Sequence, residues 1–164
     1  MWPKGDYQGE LSWGDPLLET HTSVHATTFR QLAETLDAIA HLRSCQMGEV
    51  LFRQGDPAAG ILVLRQGRVR LSASSRHGDT LSYRTVGPGY VLGLPALFSG
   101  RPYSLTAEAL EGCIFGFVDR ERALQLIRES LDLCSQAAEL LANELRELRE
   151  WQAAMTSRCS PVTN

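Results

Sequence analysis

The chain is 164 residues long, 43% hydrophobic and 21% charged, with 16 basic residues against 19 acidic ones for a formal net charge of −3. A chain of this size can bury a real core as one domain. It lacks the basic surplus of a dedicated nucleic-acid binder, and no apolar run approaches the roughly 18 residues needed to cross a bilayer, so no membrane association is expected.

The N-terminal run MWPKGDYQGELSWGDP has no apolar secretion core, which favours a cytoplasmic setting. Residues 1–27 mix Gly, Pro, Trp and Thr without a period and read as an irregular lead-in. From Thr28 to His41, Phe29, Leu32, Leu36 and Ile39 recur at helical spacing and predict a short amphipathic helix ending at His41.

After Gly48 the pattern changes to short apolar blocks closed by turn residues. EVLF stops at QGDP, ILVL at QG, VRLSA and LSYRTV flank RHGD, and SLTAEAL and CIFGFV follow the glycine-rich run GPGYVLGLP. Such closely spaced antiparallel strands imply a barrel or sandwich. Gly55, Gly67, Gly87 and Gly89 fall where the chain must reverse, and Asp56 is suited to bond its own turn backbone. Asp119 is suited to cap a helix that begins after the last strand. Neither Gly nor Pro occurs from Val118 to Ser160, so one helical pattern runs on to Met155.

That helix carries a heptad register with Leu131, Ala138, Leu145 and Gln152 at one core position and Cys134, Leu141, Leu148 and Met155 at the other. All but Gln152 are apolar, which predicts a partner helix and hence a homodimer. The chain therefore divides into the lead-in, a β-domain over residues 28–132, a dimerisation helix over 133–156 and a tail over 157–164. Cys45, Cys113, Cys134 and Cys159 lie far apart without a CxxC pair and read as separate buried thiols.

The succession GEVLFRQGD, ILVLRQGRVRL, then VGPGYVLGLPALFSGRPYSLTAEALEGC resembles the cyclic-nucleotide-binding domain of the catabolite-activator/FNR regulators, from about residue 29 to 152. The resemblance implies a mainly β fold with flanking helices: an eight-stranded jelly-roll β-roll followed by a long C-terminal dimerisation helix. It also implies that GLPALFSGRPYSLT is a phosphate-binding cassette, with candidate ligand positions Gly93, Leu94, Pro95, Ala96, Arg101, Pro102, Tyr103, Ser104 and Thr106. The family's cassette carries Glu after the first Gly, for the ribose hydroxyl, and Arg after the Pro, for the cyclic phosphate. Here Leu94 and Tyr103 stand in those places. Losing the Arg contact alone costs on the order of 3 kcal/mol, over 100-fold in affinity, so cyclic nucleotide is the cofactor implied by resemblance but tight binding is not expected. If only those two contacts are missing, Leu94→Glu with Tyr103→Arg is expected to restore binding.

The reading that follows is a sensor or regulatory module that dimerises and takes some small-molecule ligand. A ligand-free dimerisation scaffold is the alternative. A cupin-like metalloenzyme is a third, but His21 and His25 precede the strands, His41 ends a helix and His77 lies in a turn. No strand thus carries paired metal ligands, so no metal, catalytic residue or enzymatic activity is assigned. His77 beside Gly78 reads as an exposed turn residue rather than a haem ligand. The family's transcription factors continue into a helix-turn-helix, whereas nine residues follow Met155. No direct DNA contact is expected from this chain, which is read as a fragment of a longer regulator or as acting through a partner.

Overall fold

The computed structural model describes residues 30–75 and 77–158; the lead-in, Cys159 and the end of the tail lie outside them. The elements run α1 (Arg30–Ala38), β1 (His41–Cys45), β2 (Val50–Phe52), β3 (Gly60–Gln66), β4 (Val69–Ser74), β5 (Thr80–Val86), β6 (Val91–Leu92), α2 (Leu94–Ser99), β7 (Thr106–Ala109), β8 (Cys113–Asp119), α3 (Arg120–Glu129) and α4 (Leu131–Arg158). Two antiparallel sheets, ordered β1-β8-β3-β6 and β2-β7-β4-β5, face each other as the expected jelly roll.

The run ILVL in β3 is apolar at every position because both of its faces are covered. Ile61 and Val63 join Leu32, Leu36, Val118, Ile127 and Leu140 in a core between one sheet and the helices. Leu62 and Leu64 point the other way and join Phe52, Leu71, Tyr103 and Phe115 between the sheets. The helical side is held close at Gly116, where an added Cβ would lie 2.6 Å from the Ala40 Cβ and 2.7 Å from Asp37 Oδ1. Beside it Arg65 Nε donates to Asp37 Oδ1 at 2.7 Å, tying the end of α1 to β3 across an otherwise apolar seam.

Three expectations are corrected. The first helix ends at Ala38, and His41 opens β1, an edge strand exposed along most of its length. The C-terminal helical pattern is two helices rather than one. Asp119 caps α3 as expected, accepting from the Arg122 N–H at 3.1 Å, but Ser130 then adopts extended φ −127 and ψ 121. Its Oγ accepts from the Leu133 N–H at 3.3 Å and so starts α4 afresh. Finally, the four cysteines are not all separate buried thiols, because Cys134 is exposed on α4, and β1 and β8 pair Cys45 directly with Cys113. Burial raises both thiols, Cys45 to about 11, so both stay protonated and poorly nucleophilic near neutrality. Of the four turn glycines, Gly55, Gly67 and Gly89 have positive φ while Gly87 does not. Asp56 bonds its turn as expected, Oδ2 accepting from the Arg53 N–H at 3.1 Å.

No helix among the described residues is long and apolar enough to cross a membrane.

Candidate functional site

The cassette folds as β6, a left-handed Gly93, the six-residue α2 and an extended return into β7. Gly93 is at φ 89, and a Cβ there would lie 3.0 Å from Tyr103 Cε1, so glycine is needed both for the turn and for the close approach of the tyrosine ring. Tyr103 is only 5% exposed. Its ring stacks on Phe52 with centroids 4.1 Å apart and planes 20° apart. Its hydroxyl donates to the Gly60 carbonyl at 2.6 Å and accepts from the Gly60 N–H at 3.3 Å.

The backbone holds that ring in place. The Tyr103 N–H donates to the Asp56 carbonyl at 3.0 Å, and the Gly55 N–H donates to the Tyr103 carbonyl at 2.9 Å, so the QGD turn clamps the return strand from both sides. Burial raises the Tyr103 phenol above its usual range, partly offset by its backbone hydrogen bonds, and it stays neutral. Where the family's cassette carries a guanidinium, this chain has a neutral ring locked to β3.

Beneath α4 lies a cavity of about 220 Å³. Gly93, Pro95, Ala96, Tyr103 and Ser104 line it from the cassette, and Phe52, Leu71 and Leu105 from the roll. Tyr83, Tyr90, Val91 and Leu92 form another wall, and Glu144, Leu145 and Leu148 of α4 roof it. The remaining cassette candidates lie elsewhere. Leu94 has no exposure and packs in the helical core. Arg101 and Pro102 are exposed and do not line the cavity. Thr106 Oγ1 accepts from the Gln54 N–H at 3.0 Å and serves the QGD turn.

The roof is fastened by polar contacts. The Tyr90 hydroxyl donates to Glu144 Oε1 at 3.0 Å. Arg84 pairs with Glu147 and donates to the Tyr83 hydroxyl at 2.8 Å. Tyr83 also meets Trp151 edge-on at 5.3 Å. Burial lifts the Glu144 carboxyl to about 7, against the lowering effects of the Tyr90 hydrogen bond and the nearby Arg84 charge. The same burial, with the adjoining Glu144 charge, holds the Tyr90 phenol well above its ordinary value.

Sequence reasoning missed the two wall tyrosines and Glu144. One signal for Glu144 was present: it continues the inward spacing of Leu133, Ala137 and Leu140, placing an acid where the stripe facing the roll is otherwise apolar.

Residues 42–130 match the family model described as cyclic nucleotide-binding domain. The chain is 32% identical over 100 residues, 61% of its length, to the cyclic AMP receptor protein of Thermus thermophilus, and covers 46% of that protein. It is 31% identical over 104 residues, 63% of its length, to the acetyltransferase Pat of Mycolicibacterium smegmatis, covering 30% of it. The chain thus spans less than half the length of either relative. Among solved structures it resembles the Thermus thermophilus catabolite activator protein with a TM-score of 0.69 at 26% identity, covering 79% of this chain and 62% of that one. The two facing sheets with flanking helices agree with these matches, and the chain belongs to the cyclic nucleotide-binding domain family of the catabolite-activator and FNR regulators.

Proposed function

We propose that this chain is a non-enzymatic, cytoplasmic regulatory module in which the roll holds a small effector beneath α4 and α4 pairs with a second copy of the chain. Cyclic nucleotides are not its effector. One observation carries this reading: the neutral Tyr103 ring covers Gly93, and among the described residues no Lys, Arg or His lines the cavity behind it. A cyclic phosphate entering there would lose its water and face the Glu144 carboxyl, while the nearby Arg84 is already paired with Glu147. Titration calorimetry with cyclic AMP and cyclic GMP is expected to show affinity weaker than about millimolar. Micromolar binding of either nucleotide overturns the reading.

Support for pairing comes from the face of α4 next to the one on the roll. Leu131 is 86% exposed and Leu145 45%, Cys134 and Ala138 are exposed, and Leu141 is half-buried. An apolar row at heptad spacing, beside a stripe already spent on the chain's own core, is suited to a partner helix. Ala138→Arg with Leu141→Arg, neither of which lines the cavity, is expected to convert a dimer to a monomer in sedimentation while the roll keeps its cooperative melt. A native chain that is monomeric at high micromolar concentration contradicts the pairing.

A further inference from the structure

The cavity's chemistry goes further than excluding nucleotides. Its lining is apolar except for Ser104, three tyrosines and Glu144. Each tyrosine hydroxyl has a partner: Tyr103 donates to and accepts from Gly60, Tyr90 donates to Glu144, and Tyr83 accepts from Arg84. Ser104 is at the exposed rim. Among the described residues Glu144 is therefore the one charged group in the wall. Tyr90 takes its Oε1, and among the described residues no hydrogen bond to its second oxygen is made. A carboxylate has about four acceptor sites, so a donor arriving in the cavity can be received.

Size narrows the choice. At an interior packing density of about 0.75, a space of 220 Å³ is filled by roughly 160 Å³ of ligand, the scale of two fused rings and well below ordinary drug-sized pockets. The long apolar walls of Phe52, Leu71, Leu92 and Leu148 favour such rings over a flexible polar chain.

We infer that the cavity takes a compact ring compound without an anionic group, oriented by a hydroxyl or amine donor that bonds Glu144. This rests on the regulatory reading above and names the ligand class for the same site. Here Glu144 acts as a specificity determinant, accepting the ligand's donor and repelling carboxylates and phosphates that the apolar walls alone would not discriminate.

Three probes of one size separate the possibilities: naphthol, naphthalene and naphthoate, titrated calorimetrically at about pH 8, where Glu144, held at about 7, is mostly ionised. Naphthol is expected to bind at least about tenfold tighter than naphthalene, since a hydrogen bond to a charged group is worth that much or more, and naphthoate is expected not to bind. In Glu144→Leu the preference for naphthol over naphthalene should disappear. In Glu144→Gln, which keeps an acceptor for Tyr90 and guards against a folding defect in the first variant, naphthoate should gain at least about tenfold. Equal binding of naphthol and naphthalene, binding of naphthoate by the native chain, or no binding of any of the three each overturns the inference while leaving the exclusion of nucleotides standing. Tight binding of cyclic AMP instead overturns the exclusion of nucleotides on which the proposed function rests.

Discussion

Installing the two cyclic-nucleotide contacts, Leu94→Glu with Tyr103→Arg, is expected to unfold the protein rather than to create a binder. The sequence led to the opposite expectation, because it treated position 94 as ligand-facing. Leu94 instead has no exposure and packs with Leu32, Ile61, Val63 and Leu97 under the helices. Removing a buried leucine costs about 2–5 kcal/mol, and leaving an unpaired carboxylate in its place adds several more. Tyr103→Arg adds loss of the Phe52 stack and of both Gly60 hydrogen bonds. Against a typical domain stability of about 5–15 kcal/mol the sum leaves little or nothing. Circular dichroism should show no cooperative melt. A well-folded double variant that binds cyclic AMP would show that the side chain at 94 can turn into the cavity.

The second large effect is expected from Glu144→Gln, as a change in how stability varies with pH. The Glu144 carboxyl lies at about 7 in the folded chain against an ordinary value of 4.5, raised mainly by burial. A raised carboxyl favours folding most below about pH 4.5, and that contribution is lost as pH climbs through about 7. The groups around it are Tyr90, Tyr83 and Arg84 from the roll, with Glu147 and Glu150 nearby on α4. Glutamine keeps an acceptor for the Tyr90 hydroxyl without the ionisation cost. The variant should therefore match the native chain near about pH 4.5 and exceed it at about pH 8 by roughly 2–3 kcal/mol, as read from urea unfolding. Parallel stability curves for the two proteins would show that Glu144 ionises as an exposed glutamate does.

The roll was legible because its strands are short and its turns carry chemistry: QGDP, RQG, RHGD and GPG each stop an apolar block. Edge strand β1 was not, since HLRSC is exposed along most of its length and shows no buried alternation. The break at Ser130 was equally silent, because extended φ and ψ are open to any residue and need neither Gly nor Pro. Of the site, the backbone frame was legible through Gly93, while the direction of each side chain was not. In a six-residue helix, facing depends on the angle at which it leaves Gly93, and here Leu94 and Leu97 turn to the core while Pro95 and Ala96 turn to the cavity. Tyr83 and Tyr90 were invisible because a strand or loop tyrosine carries no mark of what a distant helix lays over it.

The uneven fastening of α4 gives its two halves different dynamics. Through Leu140 it is held by buried Leu133, Ala137 and Leu140, so its amides there should open only with the whole domain. Beyond Leu140 the grip passes to the Tyr90–Glu144 bond, the Arg84–Glu147 pair and the Tyr83–Trp151 edge contact, a few polar and ring contacts in place of a fully buried apolar stripe. The opening free energy should fall along the helix, so that its distal turns fray on a timescale at which the roll stays intact. Because Leu145 and Leu148 ride on those turns, fraying would lift the roof of the cavity and open it to solvent.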